Sequence, residues 1–285
     1  LAIPDHQFDF PLACPIDGSS LCLDGGSLAC GEGHRFDVAK EGYANLLPVQ
    51  FKNSRDPGDS KEMVQARRKT LESGAFAHVA DALAGVAAQH AGRVERPINL
   101  LDAGCGEGYY LGQVSKHLEP GVANCIGLDI SKWAVRAAAK RYKPLCWLVA
   151  TNRRLPVRAG DIDMIACLFG FPVWSHWAEL QRPGQQVVMI DPARDHLKEL
   201  REIIYEDVRY HDAPALDGAF DAGYRLEASE IVSRQVLLDG MELIASLVSM
   251  TPHAHRMGEA GAAALAGLER LEVTVAVELR RLERI

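Results

Sequence analysis

The sequence predicts an α/β protein built on a mostly parallel sheet, with a small segment rich in cysteine ahead of it. Three observations carry this. First, the apolar run Ile98-Asn99-Leu100-Leu101 reads as a buried strand and enters the turn Asp102-Ala103-Gly104-Cys105-Gly106-Glu107-Gly108, after which Leu111, Val114 and Leu118 fall on one helical face. Second, about one βα unit later, Ile126-Gly127-Leu128-Asp129 is another strand and ends in an acid. Third, strand-like and helical patterns alternate from Asn99 onward, which implies a parallel sheet covered on both faces. The glycines are needed because a Cβ would block either the tight turn or a ligand approaching the backbone. A Gly-x-Gly-x-Gly turn is shared with dinucleotide-binding folds. The acids sharpen it: a pyrophosphate site would favour backbone amides over the carboxylate of Asp102, and Asp129 suits the two hydroxyls of a ribose.

At 285 residues the chain holds one large domain plus a small one, and its 48% hydrophobic and 24% charged composition is that of an ordinary soluble protein. A formal charge of −7 argues against a protein that coats nucleic acid indiscriminately, while leaving room for a local basic surface. No apolar run reaches the length of a membrane span, so no membrane partner is expected. The first residues, Leu1-Ala2-Ile3-Pro4-Asp5-His6, lack the basic and apolar regions of a signal peptide. The seven cysteines suggest no disulfide framework, and a reducing cytoplasm is the expected setting.

Taken in order, the chain first offers Cys14-Pro15-Ile16-Asp17-Gly18, then Cys22, then Cys30-Gly31-Glu32-Gly33-His34. A Cys-x-x-ligand turn followed by Cys-x-x-x-His is a zinc spacing, and a stretch too short to bury a core would draw folding free energy from the metal. The second position of the turn is Asp17, where a cysteine is usual. Asp17 could close a tetrahedron with Cys14, Cys30 and His34; Cys22 is the competing fourth ligand. Asp56-Pro57-Gly58-Asp59-Ser60 is turn chemistry, with Asp59 or Ser60 able to cap a helix over 61–69. Lys40, Lys52, Arg55, Lys61, Arg67, Arg68 and Lys69 make this region basic inside an acidic chain. Beside a zinc module that reads as an RNA-backbone surface. Residues 79–91 form a helix against the next domain. Further strands are expected at 146–150, 163–169 and 186–190, helices at 131–141 and 196–205, and late strands at 226–237 and 271–279 around an alanine-rich helix over 260–268.

The glycine turn with Asp102 and Asp129 resembles the S-adenosylmethionine site of Rossmann-like methyltransferases. The wider sequence resembles the ribosomal RNA large subunit methyltransferase A family, whose members methylate N1 of a guanine in a hairpin loop of 23S rRNA. The resemblance is carried by Cys14-Pro15, Cys30 with His34, Phe36-Asp37, Lys40-Glu41-Gly42-Tyr43, Asn45-Leu46-Leu47-Pro48, Arg55-Asp56-Pro57-Gly58-Asp59-Ser60, Met63, Ala66-Arg67, the glycine turn and Met250-Thr251-Pro252. It implies a class I Rossmann-like methyltransferase with a mostly parallel seven-stranded sheet, a small N-terminal zinc-binding domain and a homodimer holding RNA in a cleft. The resulting division is a zinc-binding RNA-recognition domain over 1–50, a basic linker with helices over 51–97 and the methyltransferase domain over 98–285.

By position Phe76, Gly106, Glu107 and His196 match the family's cofactor contacts and join Asp102, Gly104 and Asp129 as expected cofactor residues. Lys52, Arg55, Lys61, Arg67 and Arg68 are the expected RNA contacts. Asp17, Asp191-Pro192-Ala193 and the loop Phe171-Pro172-Val173-Trp174-Ser175-His176-Trp177 depart from the family's pattern. Guanine N1 carries a proton at neutral pH, so its methylation needs an acceptor. His176, Asp191 and His196 are candidates, with no choice among them, and Phe169, Phe171, Trp174 and Trp177 lie where an extruded base could stack. Two other readings share parts of the pattern: a small-molecule methyltransferase and a non-catalytic zinc-dependent RNA-binding protein.

Overall fold

A computed structural model describes residues 8–51, 54 and 56–285, so the expected RNA contacts Lys52 and Arg55 lie outside the described residues. The chain opens with an antiparallel meander of β1 (Cys22–Asp24), β2 (Ser27–Ala29) and β3 (Arg35–Asp37). Strand β4 (Tyr43–Asn45) leaves that meander for the main sheet. Helix α1 (Lys61–Glu72) starts at Ser60, whose Oγ accepts the Met63 N–H at 3.3 Å, so Ser60 and not Asp59 is the cap. Helix α2 (Ala77–Ala91) follows.

The main unit then alternates β5 (Ile98–Ala103), α3 (Tyr109–His117), β6 (Ala123–Asp129), α4 (Lys132–Arg141), β7 (Cys146–Val149), β8 (Met164–Leu168), α5 (Trp174–Leu180), β9 (Gln186–Pro192), α6 (Lys198–Ile204) and α7 (Asp217–Asp221). It closes with β10 (Tyr224–Asp239), α8 (Met241–Ser249), α9 (Glu259–Ala266) and β11 (Arg270–Arg284). Strands β10 and β11 pair antiparallel along their whole length, well beyond the expected bounds.

The sheet has eight strands in the order β10-β11-β9-β8-β5-β6-β7-β4. The seven from β5 onward make the expected mostly parallel sheet, with β11 antiparallel to β9. The eighth is an addition: Tyr43, Ala44 and Asn45 pair parallel with Trp147, Leu148 and Val149. They cover an edge of β7 that would otherwise present unpaired backbone groups.

Alternation along the strands splits the core into two layers. Leu100, Val188 and Ile190 face a layer with side chains of α2, α3, α4, α6 and α8. Leu101, Ile126, Leu128 and Met189 face the other layer, shared with Trp177 and Leu180 of α5 and with Cys14, Leu28 and Cys30 of the N-terminal module. The module is therefore seated on one face of the main sheet. The segment read as a loop before residue 178 turns helical at Trp174, because Trp177 and Leu180 bury themselves in that second layer. A helix this short has too few turns to show a period in sequence. Helix α6 starts at Lys198, two residues later than expected, after Leu197 takes a left-handed φ of 53°. Among the described residues no helix is long and apolar enough to cross a membrane.

Trp147, fully buried, anchors β7 by donating its indole N–H to the Tyr142 carbonyl at 2.9 Å. Its ring lies so close to Gly127 that a Cβ there would stand 2.3 Å from Cζ3. Gly127→Ala is expected to cost about 1–3 kcal/mol by overpacking. Urea unfolding measures this, and Trp147→Phe in the same chain should recover part of the loss.

Candidate functional site

The turn after β5 positions the site. Gly104, Gly106 and Gly108 all take positive φ, at 104°, 54° and 83°, where other residues are strained. Their surroundings differ. A Cβ on Gly108 would lie 2.6 Å from the Trp147 ring and 2.8 Å from Ala138 Cβ, so this glycine serves packing. Among the described residues a Cβ on Gly104 would meet nothing within 4 Å, so this position opens onto free space. A Cβ on Gly106 would come within 3.3 Å of Arg67 Nη1. The turn is tied to β6: the Gly104 and Cys105 N–H groups donate to the Leu128 carbonyl at 2.9 Å, and the Gly106 N–H donates to Asp129 Oδ2 at 3.0 Å. Asp129 Oδ1 accepts the Ser131 N–H at 2.7 Å.

Acids surround this turn. Asp102 is buried, and among the described residues neither carboxylate oxygen has a partner. Burial, then the charge of Asp129, pushes its pKa up to about 8. Glu107 is also buried and raised to about 7 by burial against the opposing pull of Arg141, whose Nη1 lies 3.4 Å from its Oε2. Burial raises Asp129 too, against the two N–H groups it accepts. A carboxylate left unpartnered in a dry site costs several kcal/mol or holds a proton. A ligand bringing a cation or hydroxyls into the space beside Gly104 would relieve both. S-adenosylmethionine, with its ammonium, sulfonium and ribose, fits that demand.

Beyond the turn stands an aromatic group. Phe76 lies with its ring centroid 6.0 Å from His196 and 6.4 Å from Phe169, and Phe169 is 5.9 Å from His196. Tyr110, at 6.4 Å from Phe169, links this group to the start of α3. The structure thus brings Phe76 and His196 together from elements 120 residues apart in sequence numbering. His196 Nδ1 sits 2.8 Å from the Ala276 carbonyl, which only accepts, so Nδ1 carries the proton and Nε2 keeps the lone pair. Burial lowers its pKa to about 4, so the ring is neutral at pH 7. Phe169 takes a left-handed φ of 53° just beyond β8, a strain that clusters at functional sites. Its place at the carboxyl end of a strand beside β5 was the sequence signal for it.

The other candidates are engaged. Asp191 pairs with Arg280 at 2.5 Å, both buried. His176 Nε2 accepts the Leu155 N–H at 2.8 Å, so its lone pair is in use. Neighbouring Arg67 and Arg68 point apart: Arg68 pairs with Glu72 along α1 at 2.9 Å, whereas Arg67 pairs with Asp59 at 2.8 Å and reaches over the glycine turn. Lys61 is exposed at the start of α1.

In the N-terminal module, ligand atoms of Cys14, Asp17, Cys30 and His34 all lie within 4.8 Å of one another. His34 Nδ1 is 3.6 Å from Cys14 Sγ and 3.4 Å from Cys30 Sγ, and Cys30 Sγ is 3.5 Å from Asp17 Oδ2. Such edges suit a tetrahedron of S, N and O around zinc. The 2.8 Å approach of His34 to Asp17 must open somewhat to admit the ion. Asp17 is aimed by Ser19, whose N–H and hydroxyl donate to Oδ1 at 2.8 and 2.5 Å and leave Oδ2 for the centre. Cys22, at the start of β1, is exposed and outside this group.

The zinc-ribbon family model described as RlmA, N-terminal, matches residues 12–55, and a methyltransferase domain model matches residues 100–183. A Bacillus subtilis protein provisionally named 23S rRNA (guanine-N(1)-)-methyltransferase is 29% identical over 278 residues, 93% of this chain and 94% of that protein. The 23S rRNA (guanine(748)-N(1))-methyltransferase of Streptomyces fradiae is 36% identical over 190 residues, 66% of each chain. A Micromonospora griseorubida protein, provisionally named 23S rRNA (guanine-N(1)-)-methyltransferase, is 31% identical over 207 residues, 66% of this chain and 68% of that one. With a zinc-ligand cluster, a glycine turn flanked by acids and relatives of this kind, the chain belongs to the ribosomal RNA large subunit methyltransferase A family.

Proposed function

We propose that this chain transfers a methyl group from S-adenosylmethionine to N1 of a guanine in a hairpin loop of 23S rRNA. The observation that carries this reading is the presence in one chain of a cation-seeking glycine turn and a four-ligand zinc cluster seated on the same sheet. A small-molecule methyltransferase has no use for the second, and a pure RNA-binding protein has none for the first. The cofactor supplies an electrophilic methyl on a sulfonium. The residues of the chain bind and orient. Asp129 takes the ribose hydroxyls on lone pairs left over from the turn, Asp102 and Gly104 receive the ammonium, and Gly106 and Glu107 line the same side. Phe76 and His196 close over the far side. His196 Nε2, kept unprotonated, is the available acceptor in this group, since Asp191 and His176 are engaged. The zinc is structural.

The same reading divides the labour into RNA recognition by residues 1–50, a linking segment over 51–97 and methyl transfer by 98–285. It includes a homodimer and a cytoplasmic setting. Lys61 and Arg68 serve RNA, with Lys52 and Arg55 a few positions earlier in the sequence, whereas Arg67 belongs to the rim of the cofactor turn. Primer extension on 23S rRNA tests the activity, because N1 methylation blocks Watson–Crick pairing. The reverse-transcriptase stop should vanish in a deletion strain and return with this gene.

Zinc analysis tests the ligand set. Wild-type protein should carry about one zinc per chain. Asp17→Ala should lose it and Cys22→Ser should keep it; the reverse pattern would assign the fourth position to Cys22.

Asp102 predicts a pH dependence. Its folded-state pKa is raised to about 8, while an unfolded aspartate releases its proton near ~4. Stability of the ligand-free protein should therefore fall as pH rises from about 4 to about 8 and level off above. Asp102→Asn cannot ionise, so the urea-unfolding difference between variant and wild type should grow in the variant's favour across that window. A difference independent of pH would mean that Asp102 is already ionised in the folded chain.

A further inference from the structure

The loop 151–158, between β7 and β8, joins the zinc module to the methyl-transfer centre. On one side the Ala13 N–H donates to the Pro156 carbonyl at 2.9 Å and the Arg158 N–H to the Pro11 carbonyl at 2.8 Å. On the other side His176 accepts the Leu155 N–H, and Asn152 Nδ2 donates to the Phe171 carbonyl at 2.7 Å. Trp177, fully buried, donates its indole N–H to Asn152 Oδ1 at 3.2 Å. A groove runs along this loop, walled by Cys14, Pro15 and Gly18 of the zinc turn and by Ser175 and His176 of α5.

Arg153 and Arg154 stand exposed on this loop, and among the described residues neither has a carboxylate partner. Arg158, by contrast, is neutralised by Asp161 at 3.0 Å. Phe171 is 88% exposed, an apolar ring left uncovered among the described residues, two residues beyond the strained Phe169 that touches Phe76 and His196. Two free cations and a bare aromatic, held rigidly between a zinc turn and a cofactor pocket, have the chemistry of a single-stranded nucleic-acid track.

We infer that the RNA strand entering the site crosses this groove, with Arg153 and Arg154 on its phosphates and the Phe171 ring stacked on a base beside the target guanine. The loop is already pinned at both ends, so little ordering cost accompanies binding. The inference rests on the RNA-methyltransferase reading. It adds a contact surface separate from the basic helix α1.

The test is filter binding of a 23S rRNA hairpin across a salt series, with S-adenosylhomocysteine binding measured by calorimetry on each variant. Arg153→Ala/Arg154→Ala should lower the slope of log affinity against log salt by about 1.4, at ~0.7 per single-strand phosphate lost. Phe171→Ala should leave the slope alone, weaken RNA binding roughly 5- to 150-fold and be rescued by Phe171→Trp. S-adenosylhomocysteine affinity should match wild type in all three, which shows that the fold is intact. Arg93→Ala, on the loop entering β5, should change neither slope nor affinity. A double-arginine variant with the wild-type slope, or a Phe171→Ala variant with wild-type affinity, would overturn the inference while leaving the methyltransferase reading standing. Failure of the wild type to bind the hairpin would overturn both.

Discussion

The turn between β5 and α3 is the constraint on which the rest of the site depends. The backbone must pass from strand to helix through residues 104–108, and three of those positions lie at positive φ. One glycine makes room for the Trp147 ring, one leaves space free, and one lies beneath Arg67. The turn cannot drift from β6, because Leu128 and Asp129 hold its N–H groups. The acid proposed to hold the ribose therefore also holds the turn. On that proposal, one side chain serves both cofactor recognition and local backbone geometry.

The electrostatics follow from that arrangement. Asp102, Glu107 and Asp129 crowd a site that burial makes dry, and each is pushed toward its protonated form. Arg67 and Arg141 at the rim oppose this from one side. A cationic ligand is favoured because it restores the charge balance that the ligand-free site meets with protons.

The two faces of the sheet divide the remaining work. One is covered by helices that include α2 and α6, and Phe76 and His196 stand just ahead of those two. The other is covered by α5 and the zinc ribbon, whose Cys14, Leu28 and Cys30 share a core layer with Ile126 and Leu128. Ordering the ribbon around its metal and covering the sheet are thus coupled. The same seating places the zinc turn against the loop 151–158, so the zinc ribbon and the methyltransferase domain share a wall.

What the sequence by itself determined is what local physics determines. Glycines at fixed offsets from a buried strand, an acid ending the next strand, Ser131 capping α4 and ligands spaced within 21 residues of one another (Cys14 to His34) are all legible because each requirement acts over a few residues. The grouping of Asp17 with Cys14, Cys30 and His34 was legible for the same reason, since Asp17 lies three residues from Cys14 in a turn. Only the tertiary structure decided the rest. It turned Arg67 toward the glycines while Arg68 stayed on the helix surface. It spent Asp191 on Arg280 and His176 on Leu155, added β4 to the edge of β7, and left Arg153, Arg154 and Phe171 uncovered between two modules. Each of these outcomes depends on partners far away in the chain, and a side chain's direction and pairing are set by what packs against it, which no local spacing encodes.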